Sequence, residues 1–128
     1  FIPHTFMPLV KDGVLIFTEG NSHFDDEIQF FKINGHTIAQ QILKISDESN
    51  TYLFCADLIP TMYHIPIPYI MGYDIQPLET VKEKQKYLHL ALEEGWKLIF
   101  GHDNFNACAS IKMTEKGYSF DRYSNELF

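Results

Sequence analysis

Short apolar runs broken by turn residues make up the first half of this chain. Val14 to Thr18 and Ile28 to Ile33 are β-branched and aromatic, and they are bounded by Asp12-Gly13, Glu19-Gly20-Asn21 and Asn34-Gly35, the punctuation of strands joined by turns. Thr37 to Ile45 is a longer apolar stretch, Ser46 to Asn50 a polar turn cluster, and Thr51 to Cys55 a short buried-type strand, so a second hairpin is expected there. From Asp57 to Gln76 the pattern is lost. Pro60, Pro66, Pro68 and, at the edge, Pro77 forbid a lasting helix or ladder, and a structured loop of that length is more often functional than filler.

Pro77 then opens an amphipathic helix. Glu79 falls in its first turn, Leu78, Val81, Leu88, Ala91 and Leu92 lie near one stripe, and Gly95 is the stop. Lys82, Glu83, Lys84, Gln85 and Lys86 form a charge run, which the pattern assigns to a solvated outer face. Trp96 to Phe100 returns to strand character, and Ala107 to Met113 with Tyr118 to Tyr123 around Glu115-Lys116-Gly117 reads as a closing hairpin. Strands, loop, helix, strand and hairpin in this order predict an α/β chain whose mixed sheet, with one main helix, needs cover on both faces.

Composition narrows the function classes. With 128 residues the chain has room for one core, and 45% hydrophobic with 15% aromatic residues suffice to bury it. A formal charge of −7 repels phosphate backbones, so nucleic acid is not an expected partner. Apolar stretches such as Val14 to Phe17 and Ile65 to Met71 are far short of the ~20 residues of a membrane span, so no membrane association is expected. Cys55 and Cys108 lie in apolar runs and read as buried thiols, not as a disulfide framework or zinc ribbon. No charged n-region with an apolar h-region opens the chain, so a cytoplasmic location is expected, and Phe1 in place of Met points to an upstream segment.

Two histidines and an aspartate stand directly after apolar runs, at Asn34-Gly35-His36-Thr37, Phe54-Cys55-Ala56-Asp57 and Phe100-Gly101-His102-Asp103. Strand ends hold side chains at a sheet rim, where donors from distant positions can be preorganised around a metal. In this order, and with this loop between the second and third, they resemble the second half of the metallo-β-lactamase superfamily. Gly35-His36-Thr37 is similar to its Gly-His-Thr turn, Ala56-Asp57 to its strand-terminal Gly-Asp, and Gly101-His102-Asp103 to its final histidine loop. Asp57-Leu58-Ile59-Pro60-Thr61-Met62-Tyr63-His64 together with Tyr69-Ile70-Met71-Gly72-Tyr73-Asp74 resembles the branch of lactonases and organophosphate hydrolases, and the likeness runs from about Val14 to Lys112.

The resemblance implies the C-terminal half of a four-layer αββα sandwich. It implies two divalent metal ions, zinc or a similar borderline ion, with His36 serving the first, His102 the second and Asp57 bridging both as the catalytic carboxylate. A hydroxide between the ions would open a lactone, ester, β-lactam or phosphotriester, and His64 would either border the small-molecule substrate or pack against Pro66 and Tyr63. The His-x-His-x-Asp-His signature that supplies the family's other four ligands occurs nowhere in residues 1–128. Hydrolase activity is therefore expected only with the N-terminal half, which holds that signature, and not from the isolated chain. The Ala56 and Gln40 departures from Gly-Asp and Gly-His-Thr-Pro-Gly-His are expected to be tolerated. His4, His23 and His89 read as surface residues. A non-catalytic binding or structural module paired with another chain is the alternative. Either way the strands at 28–33, 37–45 and 51–55 are expected to lack cover on one face, so that the chain associates as a homodimer or with the missing half.

Overall fold

The computed structural model describes residues 2–125; Phe1 lies outside the described residues. A seven-stranded sheet runs in sequence order: β1 (Ser22–His23), β2 (Ile28–Ile33), β3 (Gln40–Ser46), β4 (Thr51–Phe54), β5 (Lys97–Ile99), β6 (Cys108–Thr114) and β7 (Gly117–Ser124). All neighbours are antiparallel except β4 and β5, whose parallel pairing aligns Phe54 with Ile99. A parallel pair needs a crossover. Here it holds the long loop and helix α2 (Pro77–Glu94).

The expected α/β architecture is present, with boundaries set by turn chemistry. Proline opens α2, where a missing N–H costs nothing, and Gly95 ends it at φ 71°, a left-handed conformation that glycine adopts freely. The loop 57–76 carries a single 3₁₀ turn, Met62–His64. Strand β3 starts at Gln40 rather than Thr37, because residues 37–39 turn and Ala39 takes φ 60°.

Other expectations fail. Val14 to Thr18 is not a strand. A short helix α1 (Pro3–Lys11) precedes it, Ser22–His23 pairs with Phe30 and Gln29 at the edge of β2, and Val14, Ile16 and Phe17 are exposed outside the ladder. Within α2, Leu78 points to solvent, whereas Glu83 and Lys84 of the charge run are buried. Their burial follows from the loops that pack over this end of the helix. Lys84 Nζ donates to the carbonyls of Pro66, Ile67 and Tyr69 at 2.8, 3.2 and 2.8 Å, so all three ammonium protons are matched. Burial still pulls its pKa down to about 8, against the opposing pull of Asp74.

One face of the sheet holds the core. Ile33, Ile42, Leu53, Leu98 and Ala109 pack there against Tyr87, Leu88 and Ala91 of α2 and against Leu58, Ile59 and Ile65 of the loop. Side chains alternate along a strand, so the registers Phe30↔Leu43↔Phe54 and Ile28↔Ile45↔Tyr52 place these six residues on the opposite face. All six are only half-buried and lie outside the core cluster. Both cysteines are buried, as expected, and the Cys55 thiol is pushed far up by burial. Among the described residues no helix is long and apolar enough to cross a membrane.

Candidate metal centre

Three chain segments converge at one rim of the sheet. His36 follows β2, Asp57 follows β4, and His102 follows β5. The parallel pairing of β4 with β5 makes both strands end on the same side, and this brings Asp57 and His102 together across 45 residues.

The turn that carries His36 is docked on α2. A Cβ on Gly35 would lie 2.3 to 2.6 Å from the side chain and backbone of Thr80, so only glycine fits against the helix. Glu83 accepts from the amides of Asn34 at 2.7 Å and Gly35 at 3.0 Å. Burial pushes its carboxyl above the usual range, against those two amides, which pull it down. The amides of Ile75 and Gln76 donate to the carbonyls of His36 and Gly35, tying the end of the long loop to the same turn.

Asp57 follows Ala56, which takes φ 45°. That is a left-handed conformation an L side chain enters at a cost of about 1 kcal/mol. Alanine at this position therefore carries a strain that glycine would not. The two oxygens of the Asp57 carboxylate diverge. Oδ1 lies 2.9 Å from His102 Nε2, and Oδ2 lies 3.8 Å from His36 Nε2 and accepts from Gln40 Nε2 at 2.6 Å. Gln40 thus holds the aspartate, a part that sequence alone did not suggest because the two are 17 residues apart.

The His102 loop is anchored in turn. Its amide donates to Pro60 O at 3.0 Å, and Asp103 accepts from the amide of Met62 at 3.1 Å and from Phe105 and Asn106. Burial alone would raise the Asp103 carboxyl, but these amides outweigh it and hold it below the usual carboxylate range. His102 itself is 65% exposed.

Beside His102 opens a cleft of about 400 Å³, lined among others by His64, Ile70, Met71 and Tyr73. His64 is half-buried, with Nδ1 2.8 Å from the Thr61 hydroxyl. Burial and then Lys84 lower its pKa, with Asp74 opposing. The ring is accordingly neutral near pH 7 and able to hydrogen-bond without charge. His4, His23 and His89 are exposed, and His89 pairs with Glu93 one turn on.

Two imidazoles flanking one carboxylate are donors of the kind zinc takes. In type and convergence they fit a metal site, and in number they do not complete one. Among the described residues no group of three or more His, Cys, Asp or Glu is arranged to hold an ion.

No protein-family model and no curated protein sequence matches the chain. Solved structures do. A probable metal-dependent hydrolase from Staphylococcus aureus aligns over 91% of this chain and 42% of its own, with 20% identity and a TM-score of 0.78. AidC, a dizinc quorum-quenching lactonase, aligns over 98% of this chain and 44% of its own, with 18% identity and a TM-score of 0.76. The hydrolase AbOPH of the beta lactamase superfamily aligns over 92% and 41%, with 17% identity and a TM-score of 0.75. The chain therefore has the fold found in these metallo-β-lactamase-type hydrolases, and it spans about two fifths of their length.

Proposed function

We propose that this chain supplies part of the active site of a metal-dependent hydrolase, with His36, Asp57 and His102 as donors to a two-metal centre completed by residues outside these 128. The observation that carries the reading is the pair of Asp57 oxygens, one turned to each histidine. A carboxylate so placed can bind two ions at once. His36 and His102 would each hold one through Nε2, and Gln40 keeps the carboxylate from rotating. When bound, two divalent ions supply Lewis acidity and lower the pKa of water. The cleft beside His102 would take a small substrate, with Ile70, Met71 and Tyr73 as apolar walls and neutral His64 as a hydrogen-bonding group. A lactone, ester, β-lactam or phosphotriester suits such a site.

The isolated chain is expected to bind Zn²⁺ weakly and to turn over neither lactones nor esters. Joining it to the rest of the domain should restore turnover. Asp57→Ala should abolish both zinc binding and restored activity, whereas Cys55→Ala, which alters only packing, should spare them in folded protein. Equal losses from the two substitutions, measured by zinc titration and ester hydrolysis, would sink this assignment.

A further inference from the structure

Asp74 closes the long loop, and its side chain is 1% exposed. A carboxylate buried that deeply for purely structural reasons has both oxygens hydrogen-bonded. Here Oδ2 has no hydrogen-bond partner, and Oδ1 makes one contact, 2.9 Å to Nδ1 of His36. The amides of Ile75 and Gln76, held on His36 O and Gly35 O, fix the loop so that the carboxylate meets the ring from behind. The buried ammonium of Lys84 lies close enough to interact with the charge and offset it.

We propose that Asp74 is a positioning residue that locks His36 as the Nδ1–H tautomer and so turns the lone pair of Nε2 toward Asp57. Carboxylate oxygens accept, so a ring nitrogen that hydrogen-bonds Oδ1 at 2.9 Å is the donor, and the hydrogen between the two lies on Nδ1. The far side of the ring agrees. His36 Nε2 stands 3.8 Å from Asp57 Oδ2, beyond hydrogen-bond range, whereas His102 Nε2 closes to 2.9 Å on the other oxygen. A gap of that width, with a lone pair on one side and a carboxylate oxygen on the other, admits a third atom. This inference rests on the reading of His36 as a metal donor, in which an imidazole must present an unprotonated nitrogen.

The test is the tautomer itself. Imidazole ¹⁵N spectra of the metal-free chain, recorded at alkaline pH with His36→Gln to assign the signals, should show His36 protonated on Nδ1 alone. Asp74→Asn keeps the side-chain volume but can donate as well as accept, so it should mix the two tautomers, and Zn²⁺ affinity should fall roughly 10- to 100-fold. A His36 that carries its proton on Nε2, or that stays on Nδ1 in Asp74→Asn, overturns the proposal even if the variant melts earlier. Because the spectra need no metal, a chain that binds no zinc would refute the reading of the site while the tautomer still decides what Asp74 does.

Discussion

The two faces of the sheet differ more than any other two regions of the molecule. On one, Ile33, Ile42, Leu53 and Leu98 are completely buried beneath α2 and the long loop. On the other, Phe30, Leu43, Ile45, Tyr52 and Phe54 form an equally apolar surface that is only half-buried. Thr18, in the exposed segment after α1, hydrogen-bonds Gln41 at that face without covering it. The contrast teaches that the chain's own elements suffice for one layer of packing. The second apolar face is covered only in part by the described residues, in a chain that spans about two fifths of the structures it matches.

Matched truncations on the two faces should separate them most clearly. Leu53→Ala removes a fully buried side chain between β3, β5 and the helix and is expected to destabilise by about 4 kcal/mol. Leu43→Ala, on the half-buried face, should cost about 2 kcal/mol, since part of its surface already meets water. Urea unfolding of both variants measures the difference, and equal losses would mean that the second face is covered after all.

A smaller effect is expected where the covered face is joined to the site. Gly35→Ala pushes a methyl into Thr80 and should cost roughly 3 kcal/mol as the turn lifts from α2. Amide exchange should then rise at Asn34 and Gly35, whose N–H groups lose Glu83. Protection unchanged at those two amides would show that the turn stays docked without the close approach.

The smallest change should go the other way. Ala56→Gly relieves the left-handed backbone ahead of Asp57 and is expected to stabilise by up to about 1 kcal/mol. A lower melting midpoint for this variant would mean that the Ala56 methyl, which packs against the core, outweighs its strain.

Much of the fold was legible because its punctuation is local. Asn34-Gly35 ends β2 at Ile33, Pro77 and Gly95 bracket α2 to the residue, and Lys116-Gly117 turns the final hairpin. His36, Asp57 and His102 were found at strand ends because rim positions follow apolar runs. What stayed hidden depends on distant partners. Lys84 looked like one more solvated charge, since its three acceptors are loop carbonyls 15 to 18 residues away. Gln40 and Asp74 carry no signal of their own, because each acquires its part only when the fold brings it to Asp57 or His36. Val14 to Thr18 misled for the converse reason: its residues are strand-like, but the two-residue Ser22–His23 strand, not this segment, pairs with β2.

The single parallel pairing also carries a kinetic consequence. Strands β2 to β4 join by short connections, and β5 to β7 by the loop 100–107 and a tight turn, so each group can form from contacts local in sequence. Only the β4–β5 ladder joins them, after a crossover of more than 40 residues has closed. Contacts of that span form slowly, because chain entropy is lost before any ladder bond compensates. Asp57 belongs to the first group and His102 to the second, so the distance between them reports the arrival of the native topology. A paramagnetic or fluorescent pair placed near these two positions would follow the last long-range step of folding, while probes within either group would register earlier events.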